Sequence, residues 1–142
     1  MNERTAALAY AKMWYQDQED ERYDGLDDFL SILADSCCLV SSFTSSDIVG
    51  KAKIAKYLEG KISKTLNFPE LATLGIARRG CAPLRGCLCL TTITPEQFEH
   101  CDLEDSVIFF TIRSDQIVRC DIFPESSYTI SRIECIPHDP SL

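Results

Sequence analysis

The sequence predicts an α+β domain, with helices first and a curved, mixed or antiparallel sheet after them. Three observations carry this expectation. Apolar residues recur at helical spacing near the N-terminus and again across residues 51–64. From about residue 71 the pattern changes to period two, with Leu88, Leu90 and Thr92 alternating against Cys87, Cys89 and Thr91. Turn residues then separate the segments, as in Thr44-Ser45-Ser46-Asp47 and Ser114-Asp115. Helices followed by a run of strands pack as helices on one face of a sheet.

Each element has its own signal. Ala6, Tyr10, Met13 and Trp14 mark a helix over 5–16. An acidic stretch, 17–24, follows and reads as a solvated loop or helix end. Leu26, Phe29, Leu30 and Leu33 mark a second, short helix, whose Asp27 and Asp28 suit a helix N-terminus. Residues 36–43 read as a strand, and Ile48-Val49 as a short returning one. Beyond Gly50, Ile54, Tyr57, Leu58 and Ile62 form one stripe of a third helix, with five lysines on its other side. Strands are expected over 71–79, 85–93, 106–113 and 116–123, the last two joined as a hairpin. Residues 95–101 read as a helical turn. The tail 126–135 is open between strand and helix, and 137–140 reads as coil.

Composition bounds the function. A chain of 142 residues, 45% hydrophobic and 25% charged, suits one globular domain with its own core. A net charge of −8 argues against a nucleic-acid partner, which needs a basic footprint. No apolar run approaches the roughly 20 residues of a membrane span. The segment after Met1 is amphipathic rather than a signal-peptide core, so a cytoplasmic location is expected. Charge is unevenly spread: residues 50–86 hold eight Lys or Arg and two acids, and the stretches on either side hold ten acids and three bases each. A solvated helix face explains the basic segment, and an anionic ligand or acidic partner is the sharper alternative.

The eight cysteines are Cys37, Cys38, Cys81, Cys87, Cys89, Cys101, Cys120 and Cys135. Most lie in apolar runs, where a thiol behaves as a small buried hydrophobe. Reduced core thiols are therefore expected rather than a disulfide framework. Cys87-x-Cys89 with His100-Cys101 offers four soft ligands, but its spacing is wrong for the usual zinc knuckle. No metal and no cofactor are expected, and no phosphate-loop, dinucleotide or nucleophile-elbow motif occurs.

The segment Phe29-Leu30-Ser31-Ile32-Leu33-Ala34-Asp35-Ser36-Cys37-Cys38-Leu39-Val40, followed by Gly50-Lys51-Ala52-Lys53-Ile54-Ala55-Lys56-Tyr57-Leu58, carries a resemblance. With the closing Ile117-Val118-Arg119…Phe123…Glu125, it resembles the nuclear-transport-factor-two-like superfamily, which includes SnoaL-like cyclases and ketosteroid isomerases. The likeness spans about residues 5–125. It implies a domain over 1–125 with a C-terminal extension over 126–142. It also implies a cone-shaped, cystatin-like sheet wrapped around three N-terminal helices, with a pocket at the wide end and a homodimer through the outer sheet face. Val107/Phe109 against Ile108/Phe110 supports the last point, because a sheet apolar on both faces must cover both.

The resemblance says little of activity, since one fold hosts many sites. It places Ser41 where ketosteroid isomerases have their base and Ile108 where they have the oxyanion acid. A serine hydroxyl is a poor base, and isoleucine donates nothing. Tyr10 is a loose candidate for the tyrosine. His100 and His138 do not fit the strand histidines of a dehydratase. Arg119-x-Asp121 has the local look of an epoxide-hydrolase pair, but it is expected on the outer face, opposite an apolar set of Val118, Cys120 and Ile122.

The interior is then expected to be lined by Tyr10, Trp14, Ser41, Tyr57, Ile108, Phe110 and Cys120, without a catalytic set. That lining suits a small apolar ligand. The alternatives are an isomerase, cyclase or dehydratase using Asp121 with a tyrosine, and a protein-interaction module.

Overall fold

A computed structural model of the chain describes residues 1–19, 23–65, 73–80, 84–93, 106–124 and 130–137. Two helices lead, α1 (Glu3–Glu19) and α2 (Asp24–Ser31), and a third, α3 (Lys51–Thr65), follows the first two strands. The strands are β1 (Leu33–Ser41), β2 (Ile48–Val49), β3 (Thr73–Arg79), β4 (Leu88–Ile93), β5 (Ser106–Arg113), β6 (Gln116–Pro124) and β7 (Ile130–Cys135). They form one curved sheet in the order β2-β1-β6-β5-β4-β3-β7. The sheet is open, with β2 and β7 at its edges, so it is not a closed barrel. It is also mixed: β1 runs parallel to β6, and every other pairing is antiparallel.

Period decides which residues go in. On α3 the buried residues are Ile54, Leu58 and Ile62, spaced four apart, and the intervening lysines stay out. On α1 Ala6, Tyr10 and Met13 are joined by Ala7, Ala11 and Tyr15, so the buried stripe is wider than the sequence pattern marks. The sheet separates its residues by parity. Ile76, Leu90, Ile108, Ile122 and Ser41 form one inward row across five strands. Phe110, Cys120, Leu39 and Ile48 form the next. α1 packs over β3, β4 and β5, and α3 over β1.

The other face is apolar too, as expected. Ala77, Cys89, Val107 and Phe109 form a second cluster, with Leu84, Cys87, Phe123 and Ile130 packed against it. Val107 is 0% exposed and Phe109 5% within one chain. A second copy is therefore not required to cover these residues, contrary to the reasoning from sequence alone. The Arg79 guanidinium lies 6.0 Å from the centre of the Phe109 ring.

One local feature differs from expectation, and one open point is resolved. β6 carries one extra residue: Ile112 pairs with Ile117, while Thr111 pairs with Arg119. This bulge at Val118 makes the inward set Ile117, Cys120 and Ile122, not Val118, Cys120 and Ile122. Residues 130–135 are a strand, β7, paired with β3 in the same sheet. The expected turn over 95–101, and the termini of the tail, lie outside the described residues.

Turn chemistry fits the rest. Ser114 and Asp115 have φ of 50° and 62°, the pair of left-handed residues that a two-residue hairpin turn needs. Gly50 has φ of 100°, and its N–H donates to the Cys37 carbonyl at 2.8 Å, which joins the start of α3 to β1. A side chain at that φ would be strained.

One side chain ties the sheet's far end to the helices. The buried Tyr15 hydroxyl on α1 donates to the Ile136 carbonyl at 3.0 Å and accepts the Leu74 N–H at 2.7 Å. The backbone closes the same joint, with Ile136 N–H on the Leu74 carbonyl at 2.8 Å. Tyr15→Phe keeps the ring and strips both bonds, leaving a buried N–H without that acceptor. The expected loss is about 1–3 kcal/mol in a denaturant melt. A loss below a few tenths of a kcal/mol would show that the hydroxyl is not a structural tie.

Candidate functional site

The candidate site lies between α1, α2, α3 and the inward rows of β1, β5 and β6. Its body is aromatic. The Tyr10 ring sits 5.3 Å from Phe29 of α2, 5.9 Å from Phe110 of β5 and 6.2 Å from Trp14, and Phe29 lies 6.4 Å from Phe110. These edge-on and tilted contacts are the packing that ring quadrupoles favour. Apolar burial explains why the group collapses; the helical spacing of Tyr10 and Trp14 explains why both rings reach it from α1.

The seven residues expected to line an interior come together. Tyr10, Ile108, Phe110 and Cys120 belong to the main core, and Trp14 and Tyr57 pack against it half-buried. Ser41 is buried at the inner end of β1, in the row that also holds Ile122 and Ile108. The two positions that the family resemblance gives to base and acid thus share one inward row, as a serine and an isoleucine.

The polar tips in this apolar setting gather beside one another. The Ser41 hydroxyl oxygen accepts the Phe43 N–H at 3.1 Å, and Ser41 is near enough to Tyr57 to ease the effect of burial on its phenol. The Trp14 indole, whose N–H can only donate, lies beside Tyr10 and eases the effect of burial on its phenol. Burial pushes the phenols of Tyr10, Tyr15 and Tyr57 above their ordinary value of 10.0, against the partial relief of these neighbours. All three are neutral donors near neutral pH.

One inward thiol was not singled out by sequence as part of a site: Cys37, which joins the expected Cys120 on the inner face. Both face inward from neighbouring strands, two residues out of register with each other. Cys37 is held below the ordinary thiol value by the neighbouring Cys120, opposed by burial and helped by the Lys51 charge. Cys120 is pushed up by the neighbouring Cys37 and by burial. The sequence signal was faint, since Cys37 and Cys120 meet only through the β1–β6 pairing.

Asp121 does not belong to this interior. It pairs across the ladder with Phe109 and shares the outer face. Its carboxylate takes both oxygens to the Arg119 Nε at 3.0 Å. An acid/base role for Asp121 inside the cone is therefore withdrawn: strand alternation turns it out while Cys120 turns in. An exposed pair of this kind contributes little stability.

Among the described residues no group of three or more His, Cys, Asp or Glu is placed to hold a metal ion. His100, Cys101 and His138 lie outside the described residues. No helix among the described residues is long and apolar enough to cross a membrane.

No family model matches the chain, and no curated protein does. Solved structures do. An NTF-2 like protein of unknown function from Burkholderia xenovorans LB400 matches at 11% identity and TM-score 0.46, covering 85% of this chain and 84% of that one. An LEH-like epoxide hydrolase of M. tuberculosis matches at 14% and 0.45, covering 87% and 85%. An NTF2-like protein of unknown function from Pseudomonas putida KT2440 matches at 14% and 0.45, covering 86% and 89%. Three helices against a curved, mixed, open sheet of seven strands are the cone-shaped α+β fold that the sequence resemblance implied.

The raised phenols set a pH expectation. Unfolded tyrosines ionise near 10.0, while the folded ones hold their protons longer. Between the two values the unfolded state has lost protons that the folded state keeps. Stability is therefore full below pH 10.0 and falls as pH rises from there through the folded values. Chemical denaturation across that alkaline range should show the fall, and Tyr10→Phe should make it shallower. Equal slopes for the two proteins would mean that Tyr10 is not held neutral by the core.

Proposed function

We propose that the chain binds a small apolar molecule between its helices and the inner face of the sheet. Tyr10, Trp14, Ser41, Tyr57, Ile108, Phe110 and Cys120 would form the lining. The observation that carries the reading is the composition of the inward surface: an aromatic body with a few hydroxyl and thiol tips. No carboxylate, imidazole or guanidinium among the described residues belongs to that buried set. Such a surface selects a ligand that is mostly hydrocarbon, with one or two groups able to accept from Tyr57 or Ser41. Ser41 and Ile108 at the base and acid positions favour binding over steroid-type isomerisation. No cofactor enters the reading.

The reading extends to assembly and setting. Residues 1–125 carry the whole lining, and β7 widens the sheet beyond it. The outer face is open on its β2–β1–β6 side: Val49 is 56% exposed, and Val40, Cys38 and Phe123 are half-buried. A homodimer would pair through this part of the face. A reducing, cytoplasmic setting suits thiols kept inside the core at Cys37 and Cys120.

Native mass spectrometry of freshly purified protein, followed by a denaturing run, tests both parts. Expected is a species of twice 16.0 kDa carrying organic mass that denaturation removes. A bare chain that also fails to take up apolar compounds from a mixed set would end the binding proposal.

Trp14, the single tryptophan, reports the same site. Its emission should change as the released compound is titrated back. Tyr57→Phe should weaken that binding by about five-fold, roughly the worth of one hydrogen bond. An unchanged affinity would place the polar contact elsewhere.

A further inference from the structure

We propose that the molecule bound in this interior is an amphiphile with an anionic head, and that Lys61 holds the head. The inference rests on the binding reading above and names the class of ligand within it. Its geometry starts at Tyr57. That residue packs against the main core yet stays half-buried, so its ring spans the margin between the apolar interior and solvent. The Lys61 ammonium lies 5.7 Å from the centre of the ring. Tyr57 and Lys61 are four residues apart on α3, which stacks them on one side of the helix. The buried stripe of Ile54, Leu58 and Ile62 runs beside them.

The five lysines of α3 are not equivalent. Lys53, Lys56 and Lys64 are exposed. Lys51 lies 3.6 Å from the Asp35 carboxylate and is engaged there. Lys61 is half-buried and sits over a residue of the proposed lining. It is therefore the α3 cation that a ligand on that lining would reach.

The chemistry of the two groups selects the head. A ring face attracts a cation and steadies it at the margin. An ammonium carries three N–H donors, so it can face a ring and an oxyanion at once. Half-burial thins the water around it, and a charge-assisted hydrogen bond there is stronger than on an open surface. The longer field has the same sign: α3 holds five lysines and one acid, Glu59, in a chain of net charge −8. An anion is drawn to this side of the molecule and a cation is turned away from it. The aromatic wall of Tyr10, Phe29 and Phe110 then takes the hydrocarbon. Among the described residues no carboxylate belongs to the buried set, so a cationic head has no counterpart inside.

The test titrates the full chain with decanoate, decanol and decylammonium near neutral pH, each below its micelle concentration, and reads Trp14 emission. The tails match and only the heads differ. Decanoate is expected to bind about ten-fold tighter than decanol, the worth of one hydrogen bond to a charged group, and decylammonium weakest of the three. Lys61→Met keeps an apolar stem over Tyr57 and removes the charge; it should bring the ratio of decanoate to decanol affinity close to one. Lys61→Arg should keep the preference, and so should Lys53→Met, which removes an exposed charge from the same helix. Equal binding of decanoate and decanol to the unaltered chain would overturn the anionic head and leave the apolar site standing. Binding of none of the three would end both. A preference lost equally in Lys53→Met and Lys61→Met would show a general field in place of a contact at Lys61, and would overturn that residue's role. The unaltered chain decides the class of ligand even if a variant fails to fold.

Discussion

The structure depends on one pairing, β1 laid parallel against β6. β1 belongs to the helical half of the chain and β6 to the strand meander, and their ladder fixes Leu39 against Cys120 and Ser41 against Ile122. Without it the inner face would stop at β6, and α3 would have no strand to cover, since it packs on β1. A parallel neighbour cannot be reached by a tight turn, so the two strands come from distant sequence. That closure costs chain entropy, which local helical contacts do not repay. The buried rows on either side of the ladder have to supply the return, and they do so with large residues: Phe110, Ile108, Leu39 and Ile122.

The ladder also explains why polar atoms can sit in the core. A buried hydroxyl without a partner costs on the order of 1–3 kcal/mol. Here partners arrive from different elements. Ser41 on β1 lies beside Tyr57 on α3, and Tyr15 on α1 meets both β3 and the residue after β7. Each contact therefore works as a test of assembly, satisfied only when the elements it joins are correctly placed. Polar tips on an aromatic wall lend the interior selectivity that a wholly apolar core lacks.

Features with a short sequence period were legible in advance. The α3 stripe, the β5–β6 hairpin and the alternation of β4 follow from spacing alone, because neighbours on one face are two, three or four residues apart. The bulge at Val118 was not legible, since an extra residue shows only against its partner strand. Once present, it moved the inward set by one position upstream of Cys120, while the outward placing of Arg119 and Asp121 held. Tyr15 looked like one more residue of an amphipathic helix; its role comes from Leu74 and Ile136, which no local pattern connects to it. The seven interior residues were reached by resemblance to a fold. Their gathering follows from parity in the strands and period in the helices.

The outer face shows how far the argument from hydrophobicity reaches. Val107 and Phe109 demanded cover, and the chain supplies it partly from itself: Leu84 and Cys87 before β4, Phe123 on β6 and Ile130 on β7 all pack there. A residue's need for burial does not say which molecule must bury it. The same face changes character toward β2, where Val49 is exposed and an Arg119–Asp121 pair replaces aromatic packing. An apolar edge residue beside a charged pair resembles the mixed surface of a non-obligate contact more than half of a divided core. If copies associate there, each chain is complete before they meet, because its apolar residues at β3, β4 and β5 are already buried. Association on that side can then change without unfolding either copy.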